Sequence, residues 1–231
     1  MQKLPAYDPL DPDYRRRRSL RSADDFLFGY GGTRVEAEDI KERIGTFLRE
    51  HLKLELSSAK TLVTHASPES AHFLGYTIRA PHVEDSRSPS KSPRQRKKRT
   101  RIGHVLLGVP PEMVAKKTAM YRRAGKPWRR PELMHLSDFA LVQQFGAEYR
   151  GIAQYYVLAH HRSHYITQLH WLMQRSLLST LANKHTSTCS AIWRRYSAQV
   201  RTPAGELFSC LEVGLERVGK PPLIARFGGL S

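Results

Sequence analysis

Cysteine is almost missing from this chain: only Cys189 and Cys210 occur in 231 residues. Two thiols so far apart support neither a disulfide framework nor a zinc module, so both are expected to be reduced and without special chemistry. Acid is also scarce, with 21 Asp and Glu against 38 Lys and Arg, a formal net charge of +17. A pI near 10.2 calls for a polyanionic counterpart, nucleic acid first and a membrane surface a distant second. There is no apolar run long enough to span a bilayer and no apolar stretch near Met1 of the secretory kind. The sequence therefore predicts a soluble intracellular protein with no membrane partner.

Arginine outnumbers lysine by 26 to 12. Guanidinium suits bidentate phosphate contact and stacking on bases; a GC-rich genome gives the same bias, which favours a bacterial cytoplasm over an organelle as the location. The 40% of hydrophobic residues are enough for one good core or two modest ones.

The most informative stretch runs from Gly146 to His185 and predicts two consecutive helices. Leu141, Phe145, Ile152, Tyr156 and Ala159 recur at helical spacing, and Ile166, Leu169, Met173, Leu177 and Leu181 repeat the pattern. Opposite the second ridge lie His164, Gln168, Trp171 and Arg175, with Lys184 and His185 closing the helix where cations suit its negative end. Ser137 is positioned to cap the first of these helices. A solvated helix face with a half-buried Trp would look the same, so periodicity by itself does not identify a binding surface.

Elsewhere the pattern is mixed. Residues 1–14 read as an extended lead-in. Arg15 to Arg18 enter a strand that turns at Ala23-Asp24-Asp25 and leaves through Phe26-Leu27-Phe28. Val35 to His51 is an amphipathic helix, followed by short strands around Leu54 and Leu56, Leu62 to His65, and Phe73 to Ile78. From Glu84 to Arg101 serine and proline alternate with Arg94, Arg96, Lys97, Lys98, Arg99 and Arg101, a composition that cannot bury enough apolar surface to order itself. Pro110-Pro111 starts a helix expected to run to about Arg123, Gly125-Lys126-Pro127 breaks it, and a further helix is expected over roughly Ser187 to Gln199 with Trp193 inward and Arg194 and Arg195 outward. Residues 220–229 read as loop or short strand.

The wording Tyr149-Arg150-Gly151-Ile152, Tyr155-Tyr156, Leu169-His170-Trp171, Ser176-Leu177 and Thr180 to His185 resembles the maturase domain, or domain X, of group II intron reverse transcriptases. Arg21 to Phe26, Leu54 to Ser57 with Lys60-Thr61, and Phe73-Leu74-Gly75-Tyr76 resemble the closing half of that family's palm. The resemblance implies an α+β chain: a partial palm over 1–83, a basic linker or hairpin over 84–104, and an all-α thumb and maturase domain over 105–231. It implies that Asp24 and Asp25 descend from the catalytic, magnesium-holding motif, that Lys60 lies near the incoming nucleotide, and that Phe73, Leu74, Gly75 and Tyr76 form the primer grip.

Three departures erode that palm: Ser22 stands where the family has tyrosine, and Arg17 and Ser19 where it has apolar or aromatic residues. The further acid of a two-metal site, with the fingers, precedes this stretch in the family. The expectation is therefore an RNA-binding protein that assists splicing of group II intron RNA, inactive as a polymerase alone and needing no cofactor. Its RNA contacts are expected at the 94–101 cations, Arg150, Gln168, Trp171, Arg175, Lys184, His185, Arg194 and Arg195. Two alternatives stay open: a piece of a split RNA-directed DNA polymerase, with a fingers-containing chain and Mg2+ completing it, and a structural subunit of a ribonucleoprotein.

Overall fold

The computed structural model describes residues 15–80, 105–160, 162–201, 205 and 207–228. The expected lead-in and the basic tract with Arg94, Arg96, Lys97, Lys98, Arg99 and Arg101 lie outside these. The chain divides into two compact units, Met1–Leu106 and Leu107–Ser231, and the fold is α+β.

In the first unit, β1 (Arg16–Ser22) and β2 (Asp25–Gly31) form an antiparallel hairpin in which Ser22 faces Asp25. The two-residue turn is possible because Ala23 takes a left-handed φ of 53°. Helix α1 (Arg34–Leu52) begins at a capping box: the Thr33 side chain accepts from the Glu36 N–H while the Glu36 carboxylate accepts from the Thr33 N–H. It stops where Lys53 turns left-handed and donates back to the Leu48 carbonyl. A second hairpin pairs β3 (Ala71–Phe73) with β4 (Tyr76–Arg79). The strands expected around Leu54, Leu56 and Leu62 to His65 are not regular strands; the backbone there closes turns instead, as in Thr61 N–H to the Ser57 carbonyl. None of the described residues 15–80 is buried, and Val35, Leu62 and Phe47 stand well exposed.

The second unit holds the core. Strand β5 (Leu106–Gly108) leads into α2 (Pro111–Thr118), a 3-10 turn (Ala119–Tyr121), and the short hairpin β6 (Arg122–Arg123) and β7 (Lys126–Pro127). The helix expected to reach Arg123 thus ends five residues sooner. Helix α3 (Asp138–Tyr155) starts at Ser137, whose side chain accepts from the Ala140 N–H as anticipated. Helix α4 (Arg162–Lys184) and α5 (Cys189–Tyr196) follow.

The expectation of an all-α second domain needs correcting. The chain leaves α5 into β8 (Ser197–Arg201), β9 (Leu207–Arg217) and β10 (Lys220–Phe227), an antiparallel sheet ordered β10-β9-β8. Leu211 and Phe227, paired across the sheet, are fully buried with Leu141, Phe145, Leu172, Met173, Leu177, Leu181 and Ile192. The Phe227 ring lies flat on His170 at 5.3 Å and edge-on to Phe145. Partial burial pushes the His170 imidazole below its ordinary range. Gly146 lets β10 lie directly on α3: a Cβ there would fall 2.3 Å from the Arg226 carbonyl oxygen.

Candidate nucleic-acid interface

Helix α4 presents three different sides. Its apolar side enters the core. Its second side is a stripe of small polar residues, Ser176, Thr180 and Asn183, at helical spacing, and this stripe receives the segment Trp128 to Arg130. The Ser176 hydroxyl donates to the Trp128 carbonyl at 2.5 Å, the Arg130 N–H donates to Thr180 Oγ1 at 3.0 Å, and Arg129 Nη1 donates to Asn183 Oδ1 at 2.9 Å. Ser176 and Thr180 are wholly buried, and their partners satisfy them.

The third side faces water. His164, Gln168, Trp171 and Arg175 are all exposed on successive turns, with the Gln168 amide 3.0 Å from His164 Nε2. A 52% exposed indole beside a guanidinium one turn away has the chemistry to stack on a flat ring and to pair with an anion. This is the face expected from the spacing of those residues.

The other expected cations divide. Arg194 and Arg195 are exposed on α5, with Arg195 Cζ 5.1 Å from the Tyr196 ring. Arg150 is exposed on α3 and reaches the Arg226 carbonyl at 3.5 Å. Lys184 and His185 point inward to a carboxylate: Lys184 Nζ lies 2.8 Å from Asp138 Oδ1, His185 Nε2 2.7 Å from Oδ2, and the Tyr196 hydroxyl donates to Oδ2 at 2.5 Å. Lys184 also donates to the Leu136 carbonyl. Burial works against the Asp138 charge, but these donors outweigh it and hold the carboxyl down at about 2; the same contact and burial push the Tyr196 hydroxyl up to about 12. The start of α3 is thereby fastened to the ends of α4 and α5. Of the other aromatics on these helices, Tyr149 and Tyr156 are buried, Trp193 packs against the core, and Tyr155 is half exposed.

A second charged cluster, which the sequence did not single out, holds Arg130 in place. Its Nε donates to Glu132 at 2.8 Å and its Nη1 to Glu148 at 2.9 Å, while the Tyr121 hydroxyl and the Gln144 amide donate to Glu148 as well. Burial opposes the Arg130 charge, and the two carboxylates more than offset it.

In the first unit, Asp24 and Asp25 sit exposed at the β1–β2 turn. Lys60 is exposed in a separate turn, its N–H on the Ser57 carbonyl. Phe73 and Tyr76 pair across the β3–β4 hairpin, and Leu74 and Gly75 form its turn with φ of 47° and 70°. Among the described residues no three His, Cys, Asp or Glu side chains come together as a metal site needs. Magnesium takes six oxygens in octahedral array, and Asp24 with Asp25 supplies at most one edge of that.

Residues 112–216 match the type II intron maturase family. The chain is 34% identical to the group II intron-encoded protein LtrA of Lactococcus lactis subsp. cremoris over 197 residues, 82% of this chain and 32% of that protein. It is 28% identical to the putative COX1/OXI3 intron 1 protein of Saccharomyces cerevisiae over 79% of its own length and 23% of that protein. It is 26% identical to an uncharacterized 91 kDa protein in the cob intron of Schizosaccharomyces pombe over 71% of its own length and 20% of that protein. The chain thus carries a type II intron maturase domain and is homologous to group II intron-encoded proteins over about 80% of its length, consistent with a C-terminal maturase portion. It spans about a third or less of the length of the curated relatives it matches. Among the described residues no helix is long and apolar enough to cross a membrane.

Proposed function

We propose that this chain binds folded group II intron RNA and assists its splicing by holding that RNA, without itself carrying out chemistry. The observation that carries this reading is the exposed file of His164, Gln168, Trp171 and Arg175 on α4, inside the stretch that matches the maturase family, in a protein of net charge +17. The first unit is read as the remnant of a palm and the second as a thumb with its maturase extension. Asp24 and Asp25 remain from a magnesium-holding motif. Filter binding of a transcribed group II intron, repeated across salt, tests the reading. The expected result is submicromolar binding that weakens linearly in log salt; binding no better than to tRNA overturns it.

A second reading is favoured by one observation, the survival of both carboxylates at a tight hairpin turn. In it the chain is part of an RNA-directed DNA polymerase whose fingers and remaining acid come from another chain. Primer extension with magnesium, after mixing with a fingers-containing chain, decides it: no product, or product unaffected by Asp24→Ala, sinks the idea.

A further inference from the structure

The β6–β7 hairpin, Arg122 to Pro127, belongs to none of the surfaces described so far. Between Met113 and Arg130 the chain carries seven cations (Lys116, Lys117, Arg122, Arg123, Lys126, Arg129, Arg130) and no acid. Arg130 is neutralised by Glu132 and Glu148. Among the described residues, Arg122, Arg123 and Lys126 pair with no carboxylate.

Three features make this more than a solvated turn. Arg123 and Lys126 stand directly opposite each other across the two-stranded ladder, where like charges repel unless an anion lies between them. The turn itself is tight, with Ala124 and Gly125 at φ of 49° and 75°, and an alanine in the left-handed region stores strain. The base of the hairpin, by contrast, is fixed: the Trp128 N–H donates to the Tyr121 carbonyl and the Trp128 carbonyl is held by Ser176. On that fixed base the Trp128 ring has Arg123 Cζ at 5.0 Å and Arg129 Cζ at 5.2 Å, so indole and guanidinium groups form a layer within cation–π range.

We infer that the β6–β7 hairpin is a separate RNA contact, taking an unpaired nucleotide: its phosphate lies between Arg123 and Lys126 and its base stacks on the Arg123–Trp128 layer. This inference rests on the RNA-binding reading above. A flat guanidinium held on an indole offers a stacking surface that an acidic peptide does not use, and an unpaired base does. Ser176, which anchors the hairpin, lies on a different side of α4 from the exposed Arg175, so the hairpin is a contact apart from the exposed α4 face. It requires no other chain.

The test titrates the full chain against a group II intron transcript at several salt concentrations, with a fully paired RNA duplex as competitor. Arg123→Ala with Lys126→Ala is expected to lower the salt slope by about 2, about one per cation, and to weaken binding on the order of tenfold. Arg123→Lys is expected to keep the slope and lose the preference for the intron over the duplex. If the wild type binds the intron and the double variant matches it in affinity and slope, the hairpin contact is wrong while the maturase reading stands. If the wild type binds no better than to tRNA, both fall. A double variant that binds RNA normally but loses a protein partner also overturns the inference. Should the double variant not fold, by circular dichroism, Lys126→Ala alone decides, with a slope loss of about 1 expected and an unchanged slope refuting.

Discussion

Replacing Asp138 tests whether the end of α4 is structural. In the folded chain this carboxyl sits at about 2, because the donors Lys184, Tyr196 and His185 outweigh the burial that would raise it. In the unfolded chain it reverts to about 3.9. A depressed carboxylate pKa contributes stability that is present above the unfolded value and is lost as pH falls from about 4 towards 2. With its side chain 16% exposed, and some allowance for solvent screening, the contribution is about 2 kcal/mol. Asp138→Asn keeps the shape and removes the charge. Urea unfolding at pH 6 is expected to show the variant less stable by about 2 kcal/mol, and that gap is expected to close by pH 2. At neutral pH the melting temperature is expected to drop by roughly 5–10 °C for a unit of this size. Equal stability at pH 6, or a gap that persists unchanged to pH 2, refutes the reasoning. A companion measurement separates structure from binding: Lys184→Ala is expected to destabilise the chain and leave the salt slope of RNA binding untouched.

Two further outcomes follow from backbone geometry. Gly146→Ala drives a methyl group into the Arg226 carbonyl, and as neither helix nor sheet has room to yield, a loss of about 1–3 kcal/mol is expected in thermal or urea unfolding. Ala124→Gly relieves a positive φ at an exposed turn, so a gain of up to about 1 kcal/mol is expected in thermal or urea unfolding.

The helices α3 and α4 were legible because their apolar residues keep a 3.6-residue period over many turns, and the Ser137 cap and the exposed side of α4 came with them. Of the sheet only the last strand was partly legible, in the loop or short strand read over 220–229, where β10 runs from Lys220 to Phe227. In β9 the adjacent Cys210 and Leu211 are both buried, which breaks the alternation by which a strand is recognised. The extent of α5 was overstated for a related reason: Ser197 to Arg201 continue its composition, but their backbone pairs with β9. Lys184 and His185 were recognised as a helix-ending cation pair, yet their partner Asp138 lies 46 and 47 residues away, a separation no local pattern reports. The hydroxyl stripe was hidden for the opposite reason: a serine and a threonine inside an apolar helix read as harmless until the chain they receive is in place. Arg122, Arg123 and Lys126 were seen only as the end of a helix and a break.

Helix α4 answers to three constraints at once. One side is filled by the hydrocarbon of its neighbours, another threads the incoming Trp128 to Arg130, and the last is turned outward with a ring and a cation in file. Most substitutions along these 23 residues meet one of three unrelated tolerances, for volume, for hydroxyl or amide geometry, or for a displayed side chain. The helix should therefore drift more slowly than any other part of the chain, and a saturation library across it should be poorer in functional clones than one across α1, where every described position touches water.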